Sequence, residues 1–370
     1  MHPEASDVAV IGGGPAGCAA ALTLRACFPA LSVVLLEAGS YCGYRPGEIL
    51  PPAARSLLRT LGILHLLDQE LAMPSRGIAS AWGSTTLEQN DYFLSAHGNG
   101  WHLDRSRFDA MLAEVCTPRG VRVLYDTPLR GAVRQNGWWE LETSRGLHMA
   151  RFVIDATGRA AAFARMAGER IGFDDRLTSY SRIFANTDRC AVETLIESVP
   201  QGWWYTAPLP QGRRMVTFMT DVDLGQELRL PEAEAWRALL QETTHTAAVI
   251  GRSHAISDCL VRPASTARLS RIVGDGWLAT GDAASAFDPL AAQGITKALR
   301  NGILAAYATG DLLRGVPGGA DRYSAIVVSQ FAGYRRAHRA HFARETRWSG
   351  ALFWMRRQAS SPLHNAGVVS

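Results

Sequence analysis

The sequence predicts an α/β fold: a Rossmann-like dinucleotide-binding domain, a smaller mixed β-sheet substrate domain and a helical C-terminal segment. Three observations predict it. A strand, glycine turn, helix and second strand follow one another in residues 7–40. A second strand, Gly-Asp turn and helix lie at 274–307. Between them, short apolar runs flank Gly- and Pro-containing turns, as hairpins do.

The opening unit reads "DVAVIGGGPAGCAAALTLRACFPALSVVLLEAGS". Val8, Val10 and Ile11 form a buried strand, Pro15 to Arg25 an Ala- and Leu-rich helix, and Val33 to Leu36 the next strand. Gly12, Gly14 and Gly17 stand at G-x-G-x-x-G spacing in the turn. Gly12 permits the tight turn, Gly14 lets a pyrophosphate approach the backbone, and Gly17 lets the helix pack close on the strand. The first helical turn, with Pro15 and Ala16, turns free N–H groups toward the phosphates. Glu37, followed by Ala38, ends the second strand, where a carboxylate can accept from ribose hydroxyls. These seven residues are the candidate dinucleotide contacts.

The second unit, "GDGWLATGDAASAFDPLAAQGITKALRNGILAAY", resembles the second FAD fingerprint of p-hydroxybenzoate hydroxylase-like flavoproteins. The resemblance implies FAD as the cofactor. Gly281 and Asp282 would hold ribityl or ribose hydroxyls, Pro289 would lie over the isoalloxazine, and the N–H groups near Gly294 and Ile295 would face its pyrimidine edge. It also implies FAD contacts from Arg45 in "YRPGE", from Arg105 in "WHLDRSRFDAMLAEV", and from Ala156 and Gly158 in "RFVIDATGR".

Composition bounds the rest. The chain has 370 residues, 47% hydrophobic and 19% charged, enough for two intertwined domains. No signal segment and no apolar stretch long enough to span a membrane is present, so the expected location is the cytoplasm. Six scattered cysteines read as buried thiols, with no metal site. Positive charge is almost all Arg; Lys297 is the single lysine. Residues 331–357 carry seven Arg and one Glu.

The expected FAD domain is discontinuous, at 1–75, 101–175 and 260–315. The substrate domain takes 76–100 and 176–259, and 316–370 forms the helical C-terminal segment. Residues 91–96 read as extended, 138–143 with 147–154 and 203–209 with 214–221 as hairpins, 181–187 as a strand, 231–250 as helical and 321–357 as one or two helices.

FAD alone does not name a reaction. "SAWGS", "GWWYTAPLP", "GDAASAFDPLAAQG" and "RWSGALFWMRR" resemble the tryptophan-halogenase-like branch, and within it the flavoproteins that mature cysteine tryptophylquinone in lysine and glycine oxidases. The resemblance implies a monooxygenase that transfers oxygen to a tryptophan or other aromatic ring, in a precursor amine oxidase. The halogenases of that branch use a lysine in the N-terminal part, and this chain has none before residue 297. Their Trp-x-Trp-x-Ile-Pro motif is altered as well, with Tyr205 and Ala207 replacing the second Trp and the Ile. Trp82, Trp203, Trp204 and Tyr205 are candidate pocket linings, and His102 and Asp91 candidate acid–base groups. Electrons would come from NAD(P)H or from a separate flavin reductase. The aromatic, Arg-rich tail offers a protein-docking surface, ordinary packing or a membrane-surface helix; no nucleic acid is expected. Three alternatives stay open: a hydroxylase of a small aromatic natural product, a prenyl-chain reductase of the geranylgeranyl type, and a maturation chaperone without redox turnover.

Overall fold

Val8–Ile11 and Val33–Leu36 are apolar at nearly every position and buried on both faces, as strands inside a parallel sheet must be. They lie within five parallel strands in the order Trp277–Ala279, Gly146–Asp155, Glu4–Ile11, Val33–Leu36, Arg122–Leu124. The protein is described by a computed structural model covering residues 4–67, 71–92, 98–185 and 193–358. Helix Pro15–Cys27 covers this sheet with its alanine-rich face. Helix Gly294–Leu313 packs directly on that helix, and Gly302 has no room for a Cβ against the Ala16 carbonyl. The mixed α/β architecture, a Rossmann-like sheet with further sheets and C-terminal helices, agrees with the sequence expectation.

A second, eight-stranded sheet runs in the order His254–Ala255, Leu177–Ala185, Arg213–Asp221, Gly202–Leu209, Thr194–Val199, Gly77–Ala81, Glu88–Asp91. Leu260–Pro263 also pairs with Leu177–Ala185. Both hairpins form, as Trp138–Thr143 with Gly146–Asp155 and as Gly202–Leu209 with Arg213–Asp221. Period-2 alternation sends Trp203 and Trp204 to opposite faces of this sheet. Trp204 packs with Phe218 and Trp236, the latter on helix Ala233–Gln241. Trp203 packs with Trp82, Phe342, Phe353 and Trp354 beneath the C-terminal helices Gly319–Ala343 and Leu352–Gln358.

Several expectations change. The helical stretch 231–250 is two helices, Ala233–Gln241 and His245–Ile250. Of the extended segment 91–96, residues 93–96 lie outside the described residues, as do 186–187 of the strand and Cys190. Cys18 and Cys116 are buried, but Cys27 and Cys42 are exposed, because one ends a helix and the other sits in a loop. The tail aromatics Tyr334, Phe342, Phe353 and Trp354 are buried in the protein itself, so of the readings left open for them these four take packing. Five of the seven tail arginines pair internally: Arg335 with Asp174, Arg344 with Glu88, Arg347 with Glu345, and Arg356 and Arg357 with Asp221. No helix among the described residues is long and apolar enough to cross a membrane.

Candidate active site

The glycine turn has a separate reason for each of its three spaced glycines. Gly12 has φ +104°, and a Cβ there would overlap the Ala156 carbonyl oxygen. A Cβ on Gly17 would overlap the Gly12 carbonyl oxygen. Gly14 differs: a Cβ there would meet no protein atom within 4 Å, so its open face is available to a ligand. The second turn meets the first. Gly281 has φ +60°, and a Cβ built on it would stand 2.7 Å from the Ala16 methyl. Gly158 also has positive φ, just past the strand carrying Ala156 toward Gly12. Gly294 begins its helix with open space beside it, Ile295 is buried behind it, and Pro289 lies exposed in a single turn capped by Asp288.

Glu37 is buried and accepts from the Gly13 N–H at 2.7 Å. It also pairs with Arg45 at 3.0 Å, while Ala38 beyond it is exposed. Arg45 and Arg105 do not stand free: both bond Asp109, at 3.2 Å and 3.1 Å. Asp109 is fully buried, and no motif marks it in the sequence. Its only signal is the i,i+4 spacing from Arg105 on helix Arg105–Cys116.

Around the second turn, Lys297 donates to Asp282 at 2.8 Å and to the Ser285 carbonyl. Arg159 donates to the Ser265 and Phe287 carbonyls, both at 2.6 Å, and its Nε lies 3.7 Å from Asp282. Burial alone would raise the Asp282 carboxyl, but Lys297 and Arg159 hold it below its ordinary value. Asp282, Arg159, Ser265, Ala283, Ala286 and Phe173 line part of a cleft of about 270 Å³. An open glycine face, a carboxylate between two cations and an adjoining cleft fit the diphosphate, the ribityl chain and the ring system of FAD.

The aromatic residues sit differently from expectation. Trp82 and Trp203 are packed among the tail rings rather than around an open cavity, with Trp82 5.2 Å from Trp354 and 5.3 Å from Phe342, centroid to centroid. Leu290, next to Pro289, rests against this same cluster. Tyr205 donates to Glu48 at 3.0 Å, and Tyr44 donates to the other oxygen of Glu48 at 2.6 Å. Glu48, buried in the "YRPGE" segment, was missed because only the Arg of that stretch matched a charged-ligand role. The phenol of Tyr205 explains why tyrosine occupies a strand position where tryptophan could not present a hydroxyl to the carboxyl. Tyr205→Phe removes one of two donors to a buried carboxyl; we expect a stability loss of about 1–3 kcal/mol in denaturant titration.

His102 is completely buried and its Nε2 bonds Thr194 Oγ1 at 2.9 Å. Burial, and then the Arg214 charge, push its ring down to about 3. It is neutral at physiological pH and serves as a buried hydrogen-bond partner of Thr194, not as the expected acid–base group. Asp91 is exposed at the end of the edge strand Glu88–Asp91, paired with Gly77. Among the described residues no cluster of His, Cys, Asp or Glu could hold a metal ion.

A family model described as FAD dependent oxidoreductase matches residues 7–185. LodB of Marinomonas mediterranea, which bears the name of an FAD-dependent oxidoreductase, is 30% identical, over 98% of this chain and 100% of its own. The chain belongs to the FAD-dependent oxidoreductase family. As a member of that family it is an enzyme that uses FAD. Halogenases are prominent among the other relatives. A 1H-pyrrole-2-carbonyl-[peptidyl-carrier protein] brominase of Pseudoalteromonas luteoviolacea is 26% identical over 81% of this chain and 76% of its own. Two solved structures share the fold. The flavin-dependent halogenase CmlS superposes with a TM-score of 0.85, at 23% identity over 98% of this chain and 69% of its own. The peptidyl tryptophan dihydroxylase QhpG, essential for tryptophylquinone cofactor biogenesis, gives 0.74 at 23% identity, over 98% of this chain and 81% of its own.

Proposed function

We propose that this FAD-dependent oxidoreductase is a monooxygenase that hydroxylates a tryptophan side chain in a precursor amine oxidase, during cysteine tryptophylquinone biogenesis. The observation that carries the choice of oxygenation over halogenation is the state of Lys297. It is the only lysine, and its ammonium is locked against Asp282 and the Ser285 carbonyl. No lysine ammonium is left to face the aromatic cluster, and the halogenases of this branch depend on one. The shared fold with QhpG, whose name specifies a peptidyl tryptophan, supports the choice of ring and of a protein substrate.

In this reading Gly14 and the N–H groups after it take the pyrophosphate, Glu37 a ribose, and Asp282 the ribityl hydroxyls. Arg45 and Arg105, fixed by Asp109, close the pocket on the other side. The flavin held by these residues would supply the activation of O₂, with electrons from NAD(P)H or a reductase. Leu290 packs against the cluster that contains Trp82 and Trp203 and against which Tyr205 also rests, and in this reading that cluster keeps water from its side.

Co-expression of the precursor oxidase with and without this chain, followed by intact-mass measurement, tests the proposal. A gain of oxygen that appears only with this chain is the expected result. A halogen gain in bromide-rich medium would establish the halogenase reading instead. Unchanged mass with hydroxylation of a free indole would move the substrate to a small aromatic molecule.

A further inference from the structure

Lys297 carries more than the exclusion of halogenation. It is 4% exposed, in the first turn of helix Gly294–Leu313. Its Nζ bonds Asp282 and the Ser285 carbonyl and lies 4.1 Å from the centroid of the Phe287 ring. A buried ammonium is costly unless it balances a charge that the site needs. The other cation near Asp282, Arg159, spends its guanidinium on two backbone carbonyls and approaches Asp282 only at 3.7 Å. One carboxylate thus faces two cations, one of them carried in the first turn of a twenty-residue helix. The excess is positive, beside the turn assigned above to the cofactor.

We propose that Lys297 is a positioning residue that sets both the grip on FAD and its reduction potential: it aims Asp282 at the ribityl chain and offsets that carboxylate's charge, so that a reduced, negatively charged flavin is held as well as the neutral oxidised one. The inference rests on Asp282 being a cofactor contact. In K297M, Asp282 keeps its charge without its partner. Negative charge on the reduced ring then meets an unbalanced carboxylate, and the reduced form is disfavoured relative to the oxidised one.

The test uses flavin-fluorescence titration of the full-length apoprotein and dye-equilibrated reduction of the holoprotein, neither of which reads turnover. K297M is expected to bind FAD at least tenfold more weakly. Its potential should fall by about 30 mV or more, the equivalent of a tenfold loss of preference for the reduced form in a two-electron couple. K297R should stay close to wild type in both. D282N should also weaken FAD, but it leaves the Lys297 charge unbalanced and should raise the potential. Wild-type affinity and potential in K297M, with FAD weakened in D282N, would overturn the role of Lys297 and leave the cofactor site standing. No effect of D282N on affinity would overturn the site itself, and the inference with it. Should K297M fail to fold, D282N decides: a potential that does not rise overturns the inference.

Discussion

Gly17→Ala is expected to cost the protein both its flavin and about 1–3 kcal/mol of stability. Alanine is ordinarily the better helix former, so the sign depends on what its methyl meets. Here it meets the carbonyl oxygen of Gly12, a backbone atom at the tightest point of the turn, with the Ala156 methyl on its other side. Neither can swing aside as a long side chain would, so the helix must lift from the strand and carry the phosphate-facing N–H groups with it. Gly14→Ala is the matched control. Its methyl would enter space with no protein atom within 4 Å, so the melting temperature of the apoprotein should be unchanged. Its FAD affinity should nonetheless fall at least tenfold, because that space is assigned to the pyrophosphate. Thermal melts of the two apoproteins with parallel flavin titrations check both. Wild-type FAD affinity in Gly14→Ala would remove the pyrophosphate assignment.

Glu345→Ala is expected to destabilise the fold by about 3–5 kcal/mol, the cost of breaking a buried ion pair by removing one partner. The Glu345 carboxylate has no exposed surface. It accepts from the Gly83 N–H, from Ser198 Oγ and three times from Arg347. It therefore ties the tail to strand Thr194–Val199 and to the end of strand Gly77–Ala81, beside Trp82. Burial by itself would raise this carboxyl, but the bonds from Arg347, Ser198 and Gly83 override it and hold the group at about 2, against an ordinary 4.5. A carboxyl depressed in the folded state contributes its full stability above pH 4.5 and loses it as pH falls toward about 2. Wild type should show a drop in melting temperature across that window, and Glu345→Ala should lack that part of the drop. Equal acid slopes in the two proteins would show that the carboxylate does not anchor the tail.

The parts of the candidate cofactor site legible in the sequence were those that depend on local backbone. Gly12, Gly17 and Gly281 show in the chain because a missing Cβ is a property of one residue, and each proves to be needed at a close contact. The long-range partners were not legible in the same way. Asp109, Glu48 and Arg159 are ordinary charged residues until folding brings Arg45 to Asp109, Tyr205 to Glu48 and Arg159 to the Ser265 and Phe287 carbonyls. His102 failed as a proton carrier for a similar reason: desolvation depends on what covers the ring, and only the tertiary structure buries it. The tail aromatics likewise suit an interface or a core equally well as a composition, and packing against Trp82 and Trp203 decided for the core.

By itself, the sequence determined the opening strand–turn–helix–strand unit, the two turns and the use of a dinucleotide, because periodicity and glycine spacing are local constraints that survive without knowledge of neighbours. Only the tertiary structure decided which charges meet and which rings are shut away from solvent. Those depend on contacts that the chain makes only once folded, such as Trp82 against Trp354 of the tail, or Lys297 against Asp282 across the second turn.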